Sequence, residues 1–373
     1  KQQIEFIRWH ALSSFVRWNE LLENQGFQTS GFNLNLPEVA FAWAKENKFE
    51  PKSIDIIHEI GLEKIKQFKP DVIFSFAPFT YLKNNFLGEL IGSLSKKPKL
   101  IAWYGANCGD EEMFRFFDLT LSNSKHLVNR LKAKDIQSEF LQHSFDPIIL
   151  EKIKPPQTRI NRATFFGNLD LTSDDFSNRT KLLQEISRHS KLLDVYGVAP
   201  KPTWKERSKF YLLEKRRNIS DITSHIIPIQ KIKSWADITK MPPSPWTFPK
   251  EFSESINKPL FGHEMLEKLS SYSIALNYHN EQTGDYACNM RLFEATGLGC
   301  ALLTDSKTDL SEYFDIDSEI LTYSSKDVAI EKINYLKENP NKAEQIRIAG
   351  QLKCLKNHTT QNQISRLSEI LNK

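Results

Sequence analysis

At 373 residues the chain is long for one domain and comfortable for two, and 26% charged and 40% apolar residues are ordinary for a globular protein. A formal net charge of +4 is too mild to argue for nucleic acid, and no window approaches the roughly 18 apolar residues of a membrane span. Cys108, Cys288, Cys300 and Cys354 lie far apart with no C-x-x-C spacing, which argues against disulfides and zinc.

The opening KQQIEFIRWH has no signal-peptide h-region, so the cytoplasm is the expected compartment. The missing Met suggests a trimmed chain, or a module of a larger one. Ile4–Arg8 reads as a first strand and Leu12–Asn24 as an amphipathic helix carrying Phe15, Trp18 and Leu22, stopped at Gly26. His10 then falls at the carboxyl end of a strand, where open α/β sheets bind ligands, and is a candidate acid/base group, with a structural histidine as the alternative.

Ile54–Gln67 reads as a helix, and Asp71–Phe76, Lys99–Tyr104, Asp118–Ser122 and Phe140–His143 as short buried strands. Ser124 caps a helix over Lys125–Lys132. This strand–helix rhythm predicts a parallel sheet in an α/β protein. Asn107 and Asp110 lie in the loop after the second of these strands. Asp110 offers a carboxylate base, or simply caps the segment DEEMFRFF.

The polar, basic, proline-containing stretch Lys152–Arg162 reads as an interdomain linker. Beyond it Ala163–Gly167 and Leu192–Tyr196 are strands. Arg179 opens a helix over Thr180–His189, as a phosphate ligand or an ordinary surface arginine. Pro200–Pro249 breaks the rhythm. Its Lys201–Asn218 part holds seven Lys/Arg against two Glu, which suits an anionic membrane surface or acceptor, or a solvated insertion.

Phe261–Leu269 is a helix and Ser273–Leu276 a strand presenting Asn277, Tyr278, His279 and Asn280 at its end. In Asn280–Asp305 (NEQTGDYACNMRLFEATGLGCALLTD) a loop with Gly284 runs into a helix opened by Asn289. Met290, Phe293 and Gly297 share one face of that helix, Gly297 and Gly299 stop it, and CALLTD is a buried strand. The amides at the helix start, from Asn289 and Met290, suit a phosphate. Arg291 is a candidate diphosphate clamp and Glu294 a candidate acceptor for a ribose diol. The plainer alternative is a solvated i,i+3 pair. Lys326–Asn339 and Lys342–Asn372 read as amphipathic helices parted by Pro340.

NMRLFEATGLGCALLTD resembles the C-terminal signature of CgeB-like glycosyltransferases, and the likeness extends to KPLFGHEMLEKLSSYSIALNYHNE, ATFFGNL and LLDVYG, more loosely to FKPDVIFSFAP and LIAWYGANCGD. The resemblance implies a GT-B fold, two Rossmann-like domains with parallel sheets facing across a cleft. The implied division is an acceptor domain over 1–153, a nucleotide-sugar domain over 163–350 with an insertion near 200–250, and a C-terminal helix in 351–373 bracing the first domain. Gly167 and Asn168 would approach the donor diphosphate, and Tyr196 or Tyr278 would stack on the base.

The implied reaction moves a sugar from a nucleotide-diphosphate donor to the hydroxyl of a glycan or lipid-linked acceptor, in bacterial surface polysaccharide or glycoconjugate synthesis. The donor is a substrate and no cofactor is expected. Metal independence is expected too, since no D-x-D motif ends a strand and Asp174-Asp175 reads as a polar loop. The inner face of the membrane is a candidate location. Retaining relatives carry two glutamates with seven residues between them. Counting back from Glu294 that position is Tyr286, with Asp285 beside it, so retention and inversion both stay open. Two other classes fit the residues: a GT-B-fold sugar-nucleotide epimerase, and a catalytically silent glycan- or nucleotide-binding module.

Overall fold

The computed structural model describes residues 15–31, 37–52, 55–76, 86–105, 110–169, 174–189, 192–198, 248–279 and 283–372, with a few positions between 204 and 215. The strand expected at Ile4–Arg8, the candidate residues His10, Asn107 and Asn280, and most of the 200–250 stretch lie outside the described residues.

Helices α1 (Phe15–Glu23), α2 (Pro37–Glu46) and α3 (Ile56–Phe68) precede β1 (Val72–Ser75). Then come α4 (Phe86–Ser93), β2 (Lys99–Trp103), a 3-10 turn (Glu111–Phe116), β3 (Leu119–Ser122), α5 (Lys125–Lys132), β4 (Ser138–Phe140) and α6 (Ile149–Lys152). The four strands form one parallel sheet in the order β1-β2-β3-β4. Successive side chains of a strand point to opposite faces. Leu100 and Ala102 therefore pack with Phe114, Leu127 and Leu131 on one side. Ile101 and Leu121 pack with Trp18 and Leu141 on the other. Burial on both faces is why these strands read as continuous apolar runs.

A second sheet is built from β5 (Ile160–Phe166), α7 (Asp174–Ser187), β6 (Leu193–Tyr196), α8 (Lys250–Ser255), β7 (Ile256–Asn257), α9 (Gly262–Ser270), β8 (Tyr272–Leu276), α10 (Arg291–Gly297), β9 (Ala301–Asp305) and β10 (Leu321–Tyr323). All six strands are parallel, in the order β10-β9-β8-β5-β6-β7. Read from the β7 edge and counted within the domain, that is the 3-2-1-4-5-6 order of a dinucleotide-binding fold. The order reverses between β5 and β8, and the carboxyl ends of those two strands open a crevice.

Helices α11 (Lys326–Glu338), α12 (Pro340–Asn357) and α13 (Thr360–Leu371) finish the described chain. Ile364, Leu367 and Ile370 of α13 enter the same cluster as Trp18, Ile101 and Leu121, so α13 packs on the first sheet beside α1. The crossing is held by the backbone: the Phe145 amide donates to the His358 carbonyl and the Thr360 amide to the Phe145 carbonyl, each at 2.9 Å.

Several boundaries differ from the sequence expectation. The fourth strand is Ser138–Phe140 rather than Phe140–His143, because Ser138, Glu139 and Phe140 are the residues that pair with Thr120, Leu121 and Ser122. The linker gives up its last residues to β5, which starts at Ile160. Helix α7 starts at Asp174, so Asp174-Asp175 forms its first turn and Arg179 sits inside it rather than at its opening. The last predicted helix breaks at His358–Thr359. Thr359 starts a capping box there, its hydroxyl accepting the Asn362 amide at 3.2 Å and its own amide donating to Asn362 Oδ1 at 3.0 Å. Pro340 opens α12 in its first turn, where a missing N–H costs nothing.

Candidate functional site

At the end of β5 the Gly167 amide donates to the Tyr196 carbonyl at 3.1 Å, and a Cβ on Gly197 would lie 2.7 Å from the Gly167 carbonyl oxygen. Only glycine lets the two strand ends approach this closely. Arg179 is buried, donates to the Asn168 carbonyl and lies 5.4 Å over the Phe165 ring, so it braces the Gly167–Asn168 turn from beneath. Tyr196 is a core residue: its ring stacks on Phe166 at 4.7 Å and its hydroxyl meets that of Tyr272 at 3.0 Å. Of the two tyrosines expected near a base, Tyr278 is the one left half-buried at a strand end.

At the end of β8 Asn277 is held on every side. Its amide donates to Leu303, its Nδ2 to Thr304 Oγ1 at 3.0 Å, and its Oδ1 accepts from Asn289 Nδ2 at 2.8 Å. His279 follows, its side chain 0% exposed, with Nδ1 2.8 Å from Asp305 Oδ1. The loop into α10 is pinned to the segment after β9: Lys307 Nζ donates to the Gly284 carbonyl at 2.8 Å, and the Ala287 amide to Asp309 Oδ1 at 2.7 Å.

Helix α10 begins at Arg291 with Met290 at the cap position, one residue later than the sequence suggests. Asn289 still serves the helix end, its Oδ1 accepting the Arg291 amide at 2.8 Å. Arg291 and Glu294 pair at 2.6 Å with side chains 15% and 7% exposed, so the pair is enclosed rather than solvated. Arg291 also lies 5.6 Å over the Phe166 ring and donates to Met265 Sδ at 3.1 Å, while its Nε makes no hydrogen bond among the described residues. Beside the end of β5 the fold therefore encloses a cation whose Nε is unpaired among the described residues.

The first domain meets this site with the carboxyl ends of its own strands. Asn123, just past β3, donates through Nδ2 to His143 Nε2 at 2.7 Å and to the Cys288 carbonyl at 3.1 Å. Asn123, Phe140, His143, Cys288, Asn289 and Leu292 line a small cavity between the two sheets. Lys125 of α5 reaches Asp309 at 3.1 Å and Glu312 at 2.7 Å. Burial alone would lower its pKa, but the two carboxylates outweigh that and raise it. Asp110 is exposed and accepts the Glu112 amide at 3.1 Å, so it caps the 3-10 turn. Burial pushes the Cys288 thiol up to about 11, which keeps it protonated and poorly nucleophilic at neutral pH. Among the described residues no three His, Cys, Asp or Glu side chains converge as metal ligands would.

Burial also lowers the pKa of His143 to about 4, and moves His358 in the same direction. A histidine held neutral costs stability wherever the unfolded chain takes up a proton and the native state does not. The loss opens as pH falls below the unfolded value near 6.5 and is complete near 4. For His143 it should reach about 3 kcal/mol. Urea titrations at pH 7 and pH 4.5 measure it, and His143→Gln should shrink the difference. An equal drop in both proteins would rule His143 out as its source.

The model of the family described as "Glycosyl transferase-like" matches residues 182–369, about half of the chain. The chain belongs to that family. No curated protein sequence matches it. Among solved structures, Staphylococcus aureus TarM, as a point mutant in complex with fondaparinux, alpha-GlcNAc-glycerol and UDP, matches at 7% identity and a TM-score of 0.53, covering 88% of this chain and 60% of that one. Anabaena HepE in complex with UDP-glucose matches at 9% identity and a TM-score of 0.52, covering 85% and 82%. At these identities the likeness establishes the fold, which is GT-B, with two Rossmann-like domains. The glycosyltransferase has no described helix long and apolar enough to cross a membrane.

Of the residues picked from the sequence, the fold brings Gly167, Asn168, Tyr278, His279, Asn289 and Met290 to the carboxyl ends of β5 and β8 or the loop between β8 and α10, and Arg291 and Glu294 to the first turn of α10. Tyr196 faces the core and Asp110 caps a turn. Asp305 and Lys307 escape the sequence reading, although CALLTD reads as a strand and Asp305 is its last residue. So do Lys125 and Asp309, whose pairing across the domains leaves no local signal.

Proposed function

We propose that the chain transfers a glycosyl group from a nucleotide-diphosphate sugar, held at the β5/β8 crevice, to a hydroxyl of a glycan or lipid-linked acceptor on the first domain. The observation that carries this is the switch point of the second sheet, where the Gly167–Asn168 turn, Asn277–His279 and the Arg291–Glu294 pair converge. In the reaction the acceptor oxygen bonds to the anomeric carbon as the bond from that carbon to the diphosphate oxygen breaks. The nucleotide leaves with the electron pair, and the acceptor proton passes to a base, for which Asp110 and His10 are the candidates. Arg291 takes the charge that develops on the leaving group, a role that removes the need for a metal ion.

The CgeB-like signature in Asn289–Asp305 supports a place in bacterial surface polysaccharide or glycoconjugate synthesis at the inner face of the membrane. The basic stretch after Lys201 exposes Trp204 and Tyr211, which suits peripheral contact with an anionic lipid surface. Thermal-shift and calorimetric titration with UDP-, GDP-, ADP-, CMP- and dTDP-sugars tests the donor site. Saturable binding of one of them, with slow hydrolysis in the absence of acceptor, is the expected result. Binding without any turnover favours the silent module, and a folded protein that binds none of them removes the transferase reading.

A further inference from the structure

His279 and Asp305 sit at the ends of neighbouring strands whose register pairs Leu276 with Leu303, so the two residues emerge side by side at the crevice. One carboxylate oxygen, Asp305 Oδ1, accepts both the His279 amide and the ring at Nδ1, each at 2.8 Å. Two bonds from one oxygen fix the ring in place. A carboxylate only accepts, so Nδ1 carries the proton. Lys307 Nζ lies 3.6 Å from the other oxygen and balances the carboxylate, while Thr304 Oγ1 lies 3.5 Å from Nδ1 and donates to Asp305 Oδ1 at 3.3 Å. The far nitrogen, Nε2, is buried and has no hydrogen-bond partner among the described residues.

A buried, charged N–H without an acceptor costs more than a buried lone pair. With Nδ1 donating to Asp305, the ring turns Nε2 into its acceptor nitrogen, at the carboxyl end of β8 beside the switch point. Its missing partner must bring a proton. Diphosphate oxygens carry none at neutral pH, whereas sugar hydroxyls do.

We infer that His279 Nε2 accepts a hydrogen bond from a hydroxyl of the transferred sugar, and that Asp305 is the positioning residue that sets the tautomer for it. This rests on the donor-site reading above, because it supposes that a nucleotide sugar occupies the crevice. The consequence is discrimination at the sugar rather than at the nucleotide. A donor lacking that hydroxyl, or carrying it with opposite configuration, leaves a buried acceptor unpaired and binds more weakly.

The experiment compares the sugar nucleotide that the wild-type protein binds with the matching nucleotide lacking its sugar, by calorimetry. In His279→Ala the sugar nucleotide should weaken by about tenfold while the bare nucleotide is unchanged. His279→Gln, which places an amide oxygen near the former Nε2, should recover most of the loss. Nitrogen-15 spectra of the histidine rings should show His279 protonated at Nδ1 in the wild type, and Asp305→Ala should move that proton to Nε2 and weaken the sugar nucleotide selectively. Equal weakening of both ligands, or of neither, overturns the inference while leaving the donor site standing. Failure of the wild-type protein to bind any sugar nucleotide overturns both.

Discussion

Glu294→Ala is expected to lower stability by about 3 kcal/mol and to abolish saturable donor binding. Glu294 is the carboxylate partner of an enclosed guanidinium, 2.6 Å away. Truncating it leaves Arg291 charged against Phe166 and Met265 with nothing to neutralise it. Breaking such a pair costs more than replacing both members with apolar residues of similar volume. The double substitution Arg291→Met, Glu294→Leu should accordingly regain most of the lost stability and none of the binding. Glu294→Gln keeps an acceptor for Arg291, so its stability loss should be about 1 kcal/mol, with weakened donor binding. Urea midpoints and calorimetric titration read the two effects separately. An unchanged midpoint in Glu294→Ala would show that the pair is dispensable for the fold, and unchanged donor affinity would remove Glu294 from the ribose.

Gly297→Ala should cost about 3 kcal/mol although alanine is the better helix former. A methyl group there would sit 2.3 Å from Phe145 Cγ and 2.5 and 2.6 Å from the two Cδ atoms. The ring has no retreat. Phe145 is buried in the core of the second domain, and its backbone is bonded on both sides to the His358–Thr360 crossing. Something must shift: α10, which carries Arg291 and Glu294, or the crossing itself. Phe145→Leu is the natural suppressor, and the double variant should be more stable than Gly297→Ala alone. A Gly297→Ala protein with a wild-type urea midpoint would mean that the interface yields freely.

The parallel βα architecture is legible because the central strands are buried on both faces and so appear as short apolar runs between turn signals, as in KLIAWY and CALLTD. Where polar residues fill a strand the signal fails. Ser138-Glu139 conceals the start of β4, and Leu321–Tyr323 is too short to stand out beside its acidic surroundings. Helices Pro37–Glu46 and Phe86–Ser93 also escape, the second because its residues are apolar around much of the helix. The Thr359-x-x-Asn362 box that breaks the last helix is readable in principle, with Asn standing where Glu or Gln is usual.

The site divides along the same line. Arg291 and Glu294 are legible because their spacing on one helix places them together. Their enclosure is not, since it comes from Phe166 and Met265, distant in sequence. His279 is legible as a strand-end residue, but its pairing with Asp305 depends on β8 and β9 being neighbours. Lys125 and Asp309 meet only because two domains close on each other.

The placement of α13 bears on how the protein is made. Ile101, Leu119 and Leu121 of the first sheet are covered in part by Ile364, Leu367 and Ile370, which leave the ribosome long after the strands they shield. At roughly 5–20 residues per second, the nascent first domain waits ten seconds or more for its last layer. During that interval an apolar sheet face stands open to chaperones and to neighbouring chains. A nascent chain stalled before Thr360 should therefore be a holdase substrate, and one released after Leu371 should not.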